Sequence, residues 1–267
     1  MSSYQATIGV SLKMYFGPER TLQWSAQVAD VAKTHPAVTS GIVRLIILPS
    51  MPVLQAVVKV FIDTAVKVGA QDLFWEDRGP YTGAVSGADL KALGCDYVEV
   101  GHIERRLLFG EDDRIVHLKV AAALRNDLTP LLCIGERDRG PVEQAASECI
   151  AQLDAILTDI DAPTNRVPLI VAYEPVWAIG GPEPASPDHV IGVARLLRAW
   201  IDARKPWAGT ALIYGGSAGE GALSALDGAV DGLFLGRFAH DPHELKAILD
   251  ETLRLALITS VSPATGD

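Results

Sequence analysis

Short apolar runs alternate with longer stretches of mixed character along this chain. The runs fall at residues 6–10, 42–48, 65–69, 97–101, 130–134, 168–173, 211–214 and 232–235. Most are continuously apolar rather than alternating, as expected of strands covered on both faces. Between them, apolar positions recur at helical spacing. In PERTLQWSAQVADVAKTH (18–35), Leu22, Ala26, Ala29 and Lys33 fall on related faces, with Glu and Asp toward solvent. GPVEQAASECIAQLDAILTDI (140–160) and SPDHVIGVARLLRAWIDARK (186–205) show the pattern more clearly. The second opens on Ser186 and Pro187, an N-cap and first-turn pair.

Eight such β/α units, with no Gly/Ser- or Pro-rich linker and no repeat beyond the alternation itself, predict a single-domain α/β fold, a (β/α)8 barrel. A doubly wound open sheet is the rival, but no GxGxxG follows the first strand, where a dinucleotide-binding sheet would carry one. The barrel is expected to span residues 1–259, followed by a small polar tail, SVSPATGD, at 260–267.

Composition fits this picture and narrows the partners. A chain of 267 residues, 49% hydrophobic, can bury one large core. The net charge of −10 argues against nucleic acid or an anionic membrane as partner. A local cluster of donors could still hold a small anion. The N-terminal MSSYQATIGV has neither a basic segment nor a long apolar one, so no signal peptide is expected, and no run is long enough to span a bilayer. Three cysteines, Cys95, Cys133 and Cys149, lack CxxC or metal-ligand spacing, which suits a reducing cytoplasm. Cys133, inside LLCIG, reads as a buried inert thiol. No metal or cofactor is implied.

In a (β/α)8 barrel the functional groups stand at the C-terminal ends of the strands. Here those ends carry Ser11 and Lys13 (strand one), His102 and Glu104 in GHIERR (strand four) and Glu174 in AYEP (strand six). Strand seven ends in YGGS and strand eight in LGR. Each feature has a plain reading: a snorkelling lysine, a satisfied core histidine, a structural ion pair, ordinary glycine turns. One shared site accounts for all of them at once. A carboxylate can take a proton α to a carbonyl, while a neutral imidazole and an ammonium stabilise the resulting enediolate. Glycine loops present backbone N–H groups to a phosphate. His102 opens a short helical segment, HIERRLL, whose N-terminus would favour a neutral ring.

At these residues the sequence resembles triosephosphate isomerase, over nearly the whole chain. AYEPVWAIG (172–180) is the most specific match; GHIERR, LLCIGE, AQDLFWEDRGPYTG, YGGS and LKM follow the family's order and spacing. The resemblance implies Glu174 as base, His102 as electrophile and Lys13 as the cation near substrate oxygen and phosphate, with Glu104 paired to Lys13. It implies phosphate donors at Gly180, Ser217 and Gly236, and a loop at 175–185 that closes over the substrate. It also implies a homodimer in which Thr82, in RGPYTGAVS, reaches into the partner's site.

Departures from the family pattern cluster around the substrate. SLKM stands where the family has NWKM, so Ser11 replaces an asparagine and Leu12 a tryptophan. Ile103 replaces a serine, Arg237 follows Gly236 where a second glycine is usual, the loop tip reads GPEPA, and Ala84 replaces a glutamate. Arg237 either adds a charge-assisted phosphate contact or points to solvent. Room gained beside the reacting carbons suits an extra substituent there. The expected substrate is a small phosphorylated ketose of four carbons, L-erythrulose 1-phosphate going to D-erythrulose 4-phosphate, and SLKM resembles the family's tetrulose-phosphate branch. A drifted triosephosphate isomerase is the alternative, and a non-catalytic sugar-phosphate-binding barrel a weaker one.

Overall fold

A computed structural model of the protein describes residues 6–163, 167–179 and 183–261, the last three by their backbone. The strands are β1 (Ala6–Ser11), β2 (Val43–Leu48), β3 (Lys67–Ala70), β4 (Tyr97–Val100), β5 (Thr129–Ile134), β6 (Ile170–Tyr173), β7 (Ala211–Tyr214) and β8 (Gly232–Leu235). All pair in parallel and in sequence order, and β8 pairs back onto β1 to close a barrel. The helices are α1 (Pro18–Thr34), α2 (Pro36–Thr39), α3 (Leu54–Phe61), α4 (Gly87–Ala92), α5 (Ile103–Phe109), α6 (Asp113–Arg125), α7 (Val142–Leu157), α8 (Pro187–Asp202), α9 (Ala222–Ala225) and α10 (Pro242–Val261). The (β/α)8 barrel read from the apolar runs is therefore the observed fold.

The strand boundaries shift by one or two residues. β3 begins at Lys67 rather than 65, because pairing with β2 starts at Ile46↔Lys67. β6 begins at Ile170 rather than 168; Pro168 has no N–H to give a ladder. At the C-terminus α10 runs on to Val261, and residues 262–267 lie outside the described ones.

Local chemistry explains the helix starts. Ser186 caps α8 by accepting from the His189 N–H at 3.3 Å, with Pro187 in the first turn. Asp112 caps α6 by accepting from the Ile115 N–H at 2.8 Å. Both satisfy donors that no preceding turn can reach.

Two apolar layers account for the continuous runs. Ile46, Leu48, Leu131, Ile170, Ile213 and Phe234 fill the barrel interior. Their neighbours along the strands, such as Leu45, Ile47, Leu132 and Val171, pack outward against the helices. Cys133 belongs to the inner layer, and burial pushes its thiol well above the ordinary value, as suits an inert side chain. Among the described residues, no helix is long and apolar enough to cross a membrane.

The barrel closes where Thr7 of β1 meets Gly232 of β8. A Cβ on Gly232 would lie 1.8 Å from the Thr7 carbonyl oxygen and 2.7 Å from its carbon, and the residue has φ +156°. Those contacts are backbone in a closed sheet and cannot swing away. Gly232→Ala is thus expected to cost at least the ~1–3 kcal/mol typical of overpacking. The measurement is urea unfolding; a midpoint equal to wild type would show that the seam tolerates a side chain.

Candidate active site

The last residue of β1 is Ser11, and the chain turns two residues later at Lys13, whose φ of +47° lies in the left-handed region. A lysine there is strained and needs support from its surroundings. Gln71 supplies it: its side-chain amide donates to the Lys13 carbonyl at 3.0 Å and to the Leu48 carbonyl at 2.9 Å. The ammonium is thereby aimed at Glu104, with Nζ–Oε1 2.7 Å. Burial works against the charged lysine. The hydrogen bond and charge of Glu104, with Glu174 and Glu99 behind them, outweigh it and hold Lys13 above its ordinary value.

His102 is the N-cap of α5, as HIERRLL predicts. Its Nδ1 accepts from the Glu104 backbone N–H at 3.1 Å. In the neutral ring this puts the proton on Nε2, and Nε2 lies 3.6 Å from Glu174 Oε2. Burial first, and then the charge of Lys13, lower this histidine to about 4, with Glu104 pulling the other way. The imidazole is therefore a neutral donor facing the cavity at ordinary pH.

Glu174 follows β6 and is buried. Gly215 makes room for it, since a Cβ there would come within 2.6 Å of both Cγ and Oε1. Its Oε2 has no hydrogen-bond partner among the described residues. Burial, followed by the Glu99 charge, raises this carboxyl well above the usual range, and Lys13 opposes them. A carboxylate so raised is a stronger base than an exposed one.

These groups open onto one cavity of about 690 Å³. It brings together Ser11, Lys13, His102, Glu104, Glu174, Ser217, Gly236 and Arg237, eight of the residues singled out from the sequence. A Cβ on Gly236 would meet nothing within 4 Å, so the space before it is open to a ligand. Arg237 opens a short 3-10 turn at the mouth, where it is exposed. Gly180 lies outside the described residues. Thr82 is not part of the cavity; it is exposed on the loop after β3. No group of three or more His, Cys, Asp or Glu among the described residues is arranged to hold a metal ion.

Of the buried carboxyls not singled out from the sequence, two bear on this end of the barrel. Glu136, the last residue of LLCIGE, accepts at Oε1 from Tyr173 Oη (3.2 Å) and Trp177 Nε1 (2.8 Å), and His189 Nε2 lies 3.0 Å away. It ties the root of the loop after β6 to α8. Glu99, on β4, takes a 2.9 Å hydrogen bond from Ser11 Oγ. Burial pushes it up to about 8, against the lowering effects of Ser11 and Lys13. The signal for Glu99 was present: YVEV puts a charge on the inward-facing alternate of a buried strand.

A neutral N–H donor, an ammonium and a high-pKa carboxyl facing one cavity are the parts for proton transfer beside a carbonyl. The triosephosphate isomerase family profile matches residues 6–252. An L-erythrulose-1-phosphate isomerase of Pectobacterium atrosepticum is 49% identical, over 96% of this chain and 99% of that protein. One of the same name from Rhizobium etli is 38% identical, over 87% and 86%. A triosephosphate isomerase of a Synechococcus strain is 40% identical over a shorter share, 69% of this chain and 72% of that one. With a profile that runs through all eight strands and a relative alike along its full length, this chain belongs to the triosephosphate isomerase family.

Proposed function

We propose that this protein is a sugar-phosphate isomerase that converts L-erythrulose 1-phosphate to D-erythrulose 4-phosphate. The observation that carries the chemistry is the convergence of Glu174, His102 and Lys13 on one cavity, with His102 Nε2 and Glu174 Oε2 3.6 Å apart. Glu174 takes the proton from C3 of the substrate, and that electron pair forms the C2–C3 double bond as the C2 carbonyl oxygen gains negative charge. His102 Nε2–H and the Lys13 ammonium stabilise that oxygen. A proton passes from the C3 hydroxyl to the C2 oxygen, and Glu174 returns its proton to C2. The carbonyl then stands at C3, and the phosphate is untouched.

Glu104 holds Lys13 in place through their 2.7 Å ion pair. Ser217, Gly236 and Gly180 are proposed phosphate donors, with Arg237 at the mouth as a further cation. The loop at 175–185 would close over the site and keep water from the enediolate. Four carbons are favoured over three by Ser11 and by the names of the relatives aligned along most of this chain. The Synechococcus relative supports a triose as the second reading. Three buried free cysteines suit the cytoplasm as its location.

A homodimer is part of this proposal. Met14 (91% exposed) and Tyr15 after β1, Tyr81 after β3 and Leu107–Phe109 at the end of α5 present large apolar side chains to solvent, Tyr81 next to Thr82 in the chain. Exposed apolar groups of this size beside the site favour a covered surface. In this arrangement Thr82 serves the partner's cavity.

Three outcomes are expected. Purified protein without added metal should show a higher kcat/KM for the tetrulose phosphates than for dihydroxyacetone phosphate and glyceraldehyde 3-phosphate. One added group discriminates by about 10- to 200-fold, so residual triose turnover is compatible, whereas a triose preference would reject the four-carbon reading. Glu174→Gln should lower kcat by about 10²–10⁴-fold, end exchange of the C3 hydrogen with solvent, and leave 2-phosphoglycolate binding. Turnover near wild type would remove Glu174 from the role of base. Sedimentation equilibrium should give twice the chain mass, and a monomer would contradict the dimer.

A further inference from the structure

We propose that Glu99 determines specificity: by accepting the proton of the Ser11 hydroxyl, it fixes that hydroxyl as an acceptor for the hydroxymethyl O–H of a four-carbon substrate. This deepens the four-carbon reading above and rests on it.

The argument begins with where Glu99 lies. Along β4, Tyr97 shares the inward face with Glu99, while Val98 and Val100 pack outward. Leu48, Leu131 and Phe234 are among the apolar members of the inward layer. A valine or leucine would fill such a position without removing a carboxyl from water. The cost is visible in Glu99 itself, which is 3% exposed and raised to about 8, burial being the largest cause. Its hydrogen bond goes to Ser11, a residue that lines the cavity. A buried carboxyl needs a hydrogen bond wherever it lies, and this one is made to a side chain that faces the cavity.

The consequence for Ser11 follows from counting protons. A serine hydroxyl has one proton and two acceptor lone pairs. Left to rotate, it can donate to a carbonyl or accept from an alcohol. With its proton held by Glu99 Oε2 at 2.9 Å, only the acceptor lone pairs remain. The carboxylate form of Glu99 fixes this orientation, since it can only accept; the neutral acid brings an O–H of its own that can donate to Ser11 Oγ, so the role belongs to the carboxylate. Such a hydroxyl receives an O–H and opposes a carbonyl or enolate oxygen, because two facing acceptors leave a buried polar atom unpaired.

The cavity is thereby divided by polarity. Lys13 Nζ and His102 Nε2–H are donors suited to the oxygens that become charged during reaction. Ser11 Oγ is an acceptor suited to an oxygen that stays a neutral alcohol. The terminal hydroxymethyl of a tetrulose phosphate is such a group, whereas in a triose phosphate both non-phosphate oxygens take part in the isomerisation. Glu99 also raises Glu174 by its charge. That effect acts on the base whatever the substrate, so a ratio of substrates separates the two roles.

The test compares wild type, Glu99→Leu, Glu99→Gln and Ser11→Ala, each assayed with L-erythrulose 1-phosphate and dihydroxyacetone phosphate. The readout is the ratio of their kcat/KM values. Glu99→Leu frees the Ser11 hydroxyl and should lower the ratio at least about tenfold, the low end of what one added group in a pocket discriminates. Glu99→Gln retains an acceptor oxygen and should keep most of the ratio. Ser11→Ala should lower it as Glu99→Leu does, and it supplies the answer if the leucine variant does not fold. Binding of 2-phosphoglycolate, which lacks the hydroxymethyl, checks that each variant keeps its site. Equal losses on both substrates in Glu99→Leu and Ser11→Ala would make the pair structural and overturn the role. A Gln variant that loses the ratio as fully as Leu would overturn acceptance as the cause. A wild type that prefers the triose rejects the four-carbon reading and this role together. A tetrulose-preferring wild type with an unshifted Leu variant rejects this role alone.

Discussion

Everything in the site depends on the sheet closing on itself. Lys13 and Glu104 are 91 residues apart in the chain, and Ser11 and Glu99 are 88 apart. They touch because eight parallel strands point their C-terminal ends at one rim. The register that fixes this is set at the β8–β1 seam, where Gly232 lets backbone meet backbone at Thr7. Without closure β1 and β8 would be sheet edges, and Lys13 would have no fixed distance from Gly236. The same close approach recurs inside the site at Gly215, which makes room for Glu174 as Gly232 makes room for Thr7. Missing Cβ atoms therefore make room both for the barrel seam and for Glu174.

The closed sheet also explains which features the sequence made legible. Strands covered on both faces read as unbroken apolar runs, so all eight were visible, and what ended a run stood out. Lys13 after IGVSL and Glu174 after IVAY are breaks of this kind. Glu99 escaped because it lies inside a run: reading YVEV as continuously buried hides that alternate residues face different layers. Glu136 escaped for another reason. Its partners Tyr173, Trp177 and His189 come from β6, the loop after it and α8, and nothing local marks their meeting.

The electrostatics of the cavity are collective. Burial disfavours every charge in it, and each group's state is then settled by its neighbours. Lys13 stays charged because Glu104 outweighs burial; that charge helps keep His102 neutral; the neutral ring leaves Glu174 without a cation at 3.6 Å. Glu99 adds a second carboxyl behind Ser11 and raises Glu174 further. Removing any one charge would therefore shift the others, and effects of single substitutions here should not add.

This coupling bears on how such a site can change substrate. Ser11 with an apolar residue at position 99 has a rotating hydroxyl that serves any oxygen and selects none. Glu99 opposite an apolar residue at position 11 is a buried carboxyl with its hydrogen bond removed, the more costly of the two states. The serine and the glutamate make physical sense as a pair, although they stand on strands that are not neighbours in the sheet. On the role proposed for Glu99, specificity is set one layer behind the cavity lining, and the arrangement of Lys13, His102 and Glu174 need not change with the substrate.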